Sequence, residues 1–101
     1  SYNNLAVTYG ALGEHQKRLD YNIKALAIRE KVLPPEHPSL ATSYNNLAWT
    51  YNALGDVAKA VSFMRRALAI LEKSLPAAHP DVEMAKKSLA FLEKELRQTK
   101  S

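Results

Sequence analysis

The sequence predicts an all-α fold, an α-solenoid built from antiparallel helical hairpins with a capping helix at its C-terminal end. Three observations predict this class. A unit of 42 residues repeats along the chain, Gly and Pro residues cluster between the periodic apolar segments, and the strong helix formers Ala and Leu supply 29 of the 101 residues. We therefore expect two hairpins followed by one further helix.

The internal repeat is visible by direct comparison of the two halves of the chain. SYNNLAVTYGALGE (1–14) returns as SYNNLAWTYNALGD (43–56), and ALAIREKVLPPEHP (25–38) returns as ALAILEKSLPAAHP (67–80). Residues 1–42 and 43–84 share 22 identities in 42 positions. A weaker third copy begins at Pro80, so the chain holds two copies and part of a third.

Turn residues divide the chain into five predicted helices. They run over about Tyr2–Leu12, His15–Leu33, Pro38–Leu54, Val57–Leu75 and Pro80–Arg97. Gly13 and Gly55 suit the left-handed residue that ends many helices, and Pro38 and Pro80 suit a first helical turn. We assign residues 1–101 to a single domain. It consists of repeat 1 at about 1–36, repeat 2 at about 37–78 and a capping helix at about 79–98.

A second periodicity suggests a different structure. Leu or Val occupies every seventh position from Leu5 to Leu96, which resembles a leucine zipper. A continuous coiled coil is excluded because each Gly inside a helix costs about 1 kcal/mol and each Pro about 3 kcal/mol. The heptad pattern instead follows from the repeat length, because 42 is a multiple of seven.

Composition and charge exclude several classes of protein. With 47% hydrophobic and 24% charged residues and a net charge of +4, the chain has the composition of a soluble globular domain. The absence of Cys excludes a disulfide framework and thiolate metal sites. No apolar run approaches the roughly 20 residues that span a bilayer, and no signal peptide is apparent, so we expect a cytoplasmic location. Because position 1 is Ser rather than Met, we expect a fragment of a longer protein.

The third and fifth predicted helices differ in one face. On the third helix an apolar face is formed by Tyr44, Leu47, Ala48, Tyr51 and Leu54. The fifth helix carries Lys86 and Glu93 at the positions of the two tyrosines. Terminal units of repeat stacks need a polar outer face, so the fifth helix is predicted to cap the C-terminal end. The N-terminal end shows no equivalent cap.

The 42-residue unit resembles the tetratricopeptide repeat, in the long form found in kinesin light chains. In the second copy the matching residues are Tyr44, Leu47, Ala48, Tyr51, Gly55, Ala60 and Ala67. In the first copy they are Tyr2, Leu5, Ala6, Tyr9, Gly13 and Ala25. Arg18 and Asn22 depart from the pattern, since a small and an apolar residue are expected there. The resemblance implies that the α-solenoid is right-handed. It also implies a non-catalytic protein–protein interaction module within a larger scaffold.

The same resemblance implies where a partner would bind. In this family the first helix of each repeat lines a concave groove that holds an extended peptide. The positions that it implies here are Asn3, Asn4, Val7, Asn45, Asn46, Trp49, Asn52, Lys87 and Phe91. Asn4 and Asn46 both donate and accept hydrogen bonds, which suits a peptide backbone. Trp49 and Phe91 suit apolar contacts, and Lys87 favours an acidic ligand.

Other interpretations compete with a peptide groove. Asn45 and Asn46 also suit a solvated helix surface, and Trp49 also suits burial by a neighbouring chain. The uncapped first helix favours a homo-oligomer, such as a dimer, because exposed apolar repeat ends tend to find partners. The chaperone-type carboxylate clamp of this family needs basic and Asn residues on three helices. Only Asn46 matches it, so that clamp is not predicted.

No pattern predicts catalysis, a cofactor or a metal site. His37 and His79 share one repeat position, which in stacked repeats is too far apart for joint coordination at about 2 Å, and His15 has no His nearby. All three are predicted to be structural. No HExxH, nucleophile elbow or P-loop occurs. Glu30 and Glu72 interrupt the run of basic residues on the second and fourth helices, so we predict no nucleic-acid or membrane partner. We also predict no small-molecule substrate.

Overall fold

The structure is a computed structural model that describes residues 2–99, apart from the side chain of Asn3. Its helices are α1 (Tyr2–Ala11), α2 (His15–Val32), α3 (Pro38–Ala53), α4 (Val57–Ser74) and α5 (Pro80–Thr99). No strand occurs in this part of the chain. The predicted all-α class is confirmed. Each predicted helix is present and starts at the predicted residue, and its C-terminal end lies one or two residues from the prediction.

Each helix packs mainly against its neighbours in the chain. The helices α1 and α2 form one hairpin, α3 and α4 form a second, and α2 also packs on α3. The last helix, α5, packs on α4. This arrangement is the predicted solenoid of two hairpins followed by a single helix.

Glycine allows the tight turn inside each hairpin. Gly13 and Gly55 have φ angles of 78° and 87°, in the left-handed region that other residues rarely adopt. In both turns the residue after the glycine donates its N–H back to the helix. Glu14 N lies 2.9 Å from Tyr9 O, and the repeat-equivalent bond from Asp56 is also 2.9 Å long. The two turns are therefore built alike, as the sequence predicts.

The turns between hairpins use histidine to cap the helix that follows. His37 precedes α3, and its Nδ1 accepts a hydrogen bond from Ser39 N at 3.0 Å. His79 precedes α5, and its Nδ1 accepts from Asp81 N at 3.1 Å. Helix starts leave backbone N–H groups without partners inside the helix, and each imidazole satisfies one of them. The repeated His-Pro dipeptide thus combines a cap with a proline suited to the first turn.

The hydrophobic core lies mainly between α3, α4 and α5. Its buried residues are Leu40, Ala41, Tyr44, Ala48, Val57, Ala60, Val61, Met64, Ala67, Ile70 and Leu92. Ala48 and Ala60 are completely buried. Because neither side chain extends beyond a methyl group, α3 and α4 can approach each other closely.

Repeat 1 is less buried than repeat 2 at equivalent positions. Leu47 is 1% exposed, whereas Leu5, 42 residues earlier, is 40% exposed. Ile70 and Ile28 form a second such pair, at 8% and 51%. Repeat 2 packs between α2 and α5, but repeat 1 has a packing neighbour on one side only within the described residues.

A buried polar pair connects repeat 1 to repeat 2. Asn22, where the repeat pattern expects an apolar residue, is 4% exposed and donates from Nδ2 to Thr50 Oγ1 at 2.9 Å. Thr50 is fully buried, and its hydroxyl donates to Asn46 O at 2.7 Å. Buried polar groups cost free energy unless they are hydrogen-bonded. The departure at Asn22 is therefore compensated by Thr50.

We expect Thr50→Val to lower the free energy of unfolding by about 1–3 kcal/mol, because the Asn22 amide keeps its buried position and loses its acceptor. The double variant Asn22→Leu with Thr50→Val should recover most of this loss, since both polar partners are then gone. Denaturant unfolding of the two single variants and the double variant measures the coupling. Strictly additive losses would contradict a direct interaction.

Each hairpin contains a stack of three aromatic rings. In repeat 2 the Phe63 ring contacts Tyr44 and Tyr51, with centroid distances of 6.0 and 5.6 Å. The Arg66 guanidinium lies 4.4 Å from the Tyr44 centroid and Lys59 Nζ lies 5.3 Å from that of Tyr51. Burial raises the pKa of the Tyr44 phenol. The equivalent rings and cations in repeat 1 are Tyr21, Tyr2, Tyr9, Lys24 and Lys17.

Candidate functional site

Two clefts lie on opposite sides of α3. The N-terminal cleft, of about 220 Å³, is lined by Ala6, Val7, Gly10, Ala11, Arg18, Asn22 and Asn46. The C-terminal cleft, of about 230 Å³, is lined by Ala41, Thr42, Asn45, Ala67, Leu71, Asp81, Met84 and Ala85. The adjacent residues Asn45 and Asn46 line different clefts, because successive side chains on a helix point about 100° apart. The surface of α3 is therefore a ridge between two depressions.

Arg18 and Gly10 determine the shape of the N-terminal cleft. The Arg18 side chain passes over Gly10, where an added Cβ would lie 2.8 Å from Arg18 Cδ and 3.3 Å from its Nε. Repeat 2 has Asn52 and Ala60 at the equivalent positions. Because Gly10 has no side chain, α1 leaves room for the large Arg18 side chain of α2. Arg18 is therefore tolerated where the repeat pattern expects a small residue.

The Arg18 guanidinium has no acidic partner within the described residues. The ion pairs found there involve other cations: Lys17, Lys59, Arg65, Lys73 and His79. Burial lowers the pKa of Arg18 from its ordinary value, because desolvation disfavours the charged form. The side chain is half-buried, so this cation is partly removed from water without a compensating charge.

An aromatic pair joins α3 and α5. The rings of Trp49 and Phe91 are tilted by 40° with centroids 6.1 Å apart. Trp49 is partly buried against the core, whereas Phe91 is 49% exposed. In repeat 1 the equivalent of Trp49 is Val7, which is 64% exposed. The large aromatic group therefore fills space in repeat 2 that stays open in repeat 1.

The other predicted groove residues are distributed along the same helices. Asn4 is exposed on α1, Asn52 is half-buried on α3 and Lys87 is exposed on α5. None of these three lines either cleft. The side chain of Asn3 lies outside the described residues, so its predicted role is not tested. The structure brings Val7 and Asn46 together in the N-terminal cleft.

Arg18 and Asn22 are not among the predicted groove residues, although both line the N-terminal cleft. Both had been recognised only as departures from the repeat pattern. The useful signal was a paired departure: where the first copy has Gly10 and Arg18, the second has Asn52 and Ala60. The first copy thus has a larger residue on its second helix and no side chain at the matching place on its first helix. Such a paired change suggests that the two positions are in contact, and it would have indicated the cleft.

The described residues contain no cluster of three or more His, Asp or Glu side chains arranged to hold a metal ion. Within residues 2–99, no helix is both long enough and apolar enough to cross a membrane. The His15 Nδ1 atom is buried and has no hydrogen-bond partner among residues 2–99. Its residue is only half-buried and stands at the start of α2, away from His37 and His79 in sequence.

Comparison with known proteins agrees with the architecture. The family model described as tetratricopeptide repeat matches residues 1–73. A crystal structure of a putative kinesin light chain with nearly identical TPR-like repeats, from Podosopora anserina, is 31% identical with a TM-score of 0.86. A crystal structure of a variant of that protein gives the same values. The match covers 98% of this chain and 47% of each of those structures, so the chain spans about half their length. No curated protein is significantly similar to the sequence.

Proposed function

Because the chain belongs to the tetratricopeptide repeat family, whose repeats are generally protein–protein interaction modules, we propose that it holds an extended segment of a partner protein along α1, α3 and α5. The observation that carries this proposal is the pair of clefts on either side of α3. Clefts that alternate with a ridge along one surface suit an extended chain, because every second side chain of such a chain faces the same side. The module would act within a larger cytoplasmic scaffold and without catalysis.

Polar and aromatic groups along α3 and α5 support this mode of binding. Asn45 and Asn46 are half-buried, and their amides can both donate to and accept from a peptide backbone. Phe91 presents nearly half of its surface to solvent next to Trp49. Aromatic groups of this kind often supply most of the binding energy of an interface. Backbone recognition by amides would give affinity, and the clefts would give side-chain preference.

A peptide array tests this proposal. The intact chain is applied to an array of 12-residue peptides, and the binding of soluble hits is then measured by calorimetry. We expect Phe91→Ala to weaken binding of these hits by about tenfold, which corresponds to about 1.4 kcal/mol.

The matched control is Ile23→Ala, because Ile23 is 44% exposed on α2 and lies outside both clefts. It should leave binding of the array peptides unchanged. The absence of any binding peptide, or equal losses in the two variants, would contradict a groove on the α1, α3 and α5 side.

A second proposal is self-association through the exposed apolar surface of repeat 1. Tyr2 and Leu5 are each 40% exposed, and Ile28 and Val32 are 51% and 72% exposed. Large exposed apolar surfaces often mark an interface. Light scattering should then give a mass near twice the monomer value of 11.3 kDa, and Leu5→Glu should return it to the monomer value. A monomer mass from micromolar to millimolar concentration would exclude this alternative.

A further inference from the structure

We propose that the N-terminal cleft binds a carboxylate group of the partner segment, with the Arg18 guanidinium as its ligand. This inference rests on the proposed groove function and specifies the chemistry of one position in it. The carboxylate is supplied either by an Asp or Glu side chain or by the C-terminus of the partner. Three features of the cleft support it: the space that Gly10 provides, the absence of a counter-charge for Arg18 within residues 2–99, and the apolar surroundings.

The Arg18 side chain packs against Gly10 at the edge of the cleft. An added Cβ on residue 10 would lie 3.3 Å from Arg18 Nε and 3.4 Å from its Nη1, so the guanidinium itself lies over the glycine. Both residues line the same cleft as Val7 and Asn46. A long side chain that packs on α1 in this way has less conformational freedom in the unbound protein. Such preorganisation lowers the entropic cost of binding.

The charge of Arg18 is not compensated within the described residues. The nearest acidic residues in the sequence have other partners: Glu14 pairs with Lys17 at 3.5 Å, and Asp20 accepts a hydrogen bond from Gln16 at 3.5 Å. Arg18 has neither an ion pair nor a side-chain hydrogen bond among residues 2–99. A carboxylate matches the planar, forked donor geometry of such a guanidinium.

The surroundings strengthen the attraction between Arg18 and an anion. Ala6 is 2% exposed and, with Val7 and Ala11, gives the cleft apolar walls. Electrostatic attraction is stronger next to such walls than in open water. Asn22 does not compete for the ligand, because its Nδ2 already donates to Thr50. The cleft thus combines one cation with a low-polarity wall.

The arrangement differs from the carboxylate clamp of chaperone-type members of the family. That clamp draws basic and Asn residues from the first helices of its repeats, and only Asn46 matches it here. Arg18 belongs to α2, the second helix of its hairpin, and reaches the cleft across Gly10. Repeat 2 has Ala60 instead, so the proposed site occurs once in the two repeats.

Side-chain NMR of the intact chain tests the proposal. The Arg18 Nε–H resonance is followed while the acetylated and amidated pentapeptide Ala-Ala-Glu-Ala-Ala is added. We expect a saturable shift, and at least a tenfold weaker response to the peptide with Gln in place of Glu. A pentaalanine peptide with a free C-terminus distinguishes the two sources of carboxylate. Equal responses to the Glu, Gln and pentaalanine peptides, or no shift of Arg18 with any of them, would overturn the proposal.

Three variants and one further anion complete the test. Arg18→Ala introduces the residue that repeat 2 has at this position. In this variant the backbone amide resonances of the cleft residues Val7 and Ala11 should no longer respond to the peptides. Arg18→Gln gives a second neutral variant if the first does not fold. Lys31→Ala removes the same charge from an exposed site on α2 and should bind as the wild type does. A tenfold preference for inorganic phosphate over both carboxylate peptides would overturn the assignment to carboxylates.

The peptides from the array separate this inference from the proposed function. If they bind through Phe91 while neither carboxylate source moves the Arg18 resonance, the groove stands and the carboxylate site is excluded. If neither the Phe91 region nor Arg18 responds to any peptide, the proposed function fails as well.

Discussion

Leu47→Ala should lower the free energy of unfolding by about 2–5 kcal/mol, the range that truncation of a buried leucine produces. Leu47 is 1% exposed in the middle of α3, which packs on both α2 and α4. Small domains have a total stability of about 5–15 kcal/mol, so the variant should retain only part of the native stability. Denaturant unfolding followed by circular dichroism measures the loss. An unchanged slope of the free energy of unfolding against denaturant concentration would show that the unfolded state is unaltered.

Leu5→Ala is the matched control, because Leu5 has the same place in repeat 1. It is 40% exposed, so truncation removes less buried area and leaves less of a cavity. We expect less than about half of the loss found for Leu47. Equal losses in the two variants would mean that Leu5 is as buried in solution as Leu47, for example in a self-associated form. Measurement at several protein concentrations would identify that case.

Leu92→Ala should loosen the attachment of α5 to α4. Leu92 is completely buried and is the only residue of α5 in the main cluster of buried core residues. We expect a loss of about 2–5 kcal/mol in global stability or in the free energy that holds α5 in place. In repeat proteins each unit is stabilised by its interface with the next. Hydrogen exchange should therefore show faster exchange of α5 amides than of α3 amides in this variant.

The control for this experiment is Met84→Ala, a truncation of an apolar residue on the same helix. Met84 is 66% exposed, and surface substitutions usually change stability by less than about 0.5 kcal/mol. Amide exchange in α5 should then match the wild type. Faster exchange of α5 in both variants would show that any shortened side chain on α5 releases it, and the special role of Leu92 would be excluded.

The fold could be predicted because its signals are local and occur twice. Gly13 and Gly55, and the His-Pro dipeptides at His37 and His79, mark the same turns in both copies. The predicted C-terminal ends of the helices differ from the observed ends by one or two residues. The final turn depends on hydrogen bonds such as the one from Glu14 to Tyr9, which no single residue encodes.

The candidate site was less predictable because it depends on what neighbouring helices leave unfilled. Trp49 and Val7 have the same repeat position, yet one contacts Phe91 and the other borders an open cleft. The part played by Arg18 depends on the missing side chain at Gly10 on another helix. The repeat pattern assigns positions to faces, but individual departures from it determine the shape of each cleft.

The bond between Asn22 and Thr50 has a consequence for the order in which units are joined. One repeat later the equivalent residues are Met64 and Leu92, both fully buried and apolar. At the first junction both of these residues are polar, and at the second both are apolar. If the units were shuffled so that Asn22 faced a leucine or Met64 faced a threonine, a buried polar group would lose its partner at about 1–3 kcal/mol. Each junction therefore discriminates against the wrong neighbour, and the repeated units are not interchangeable.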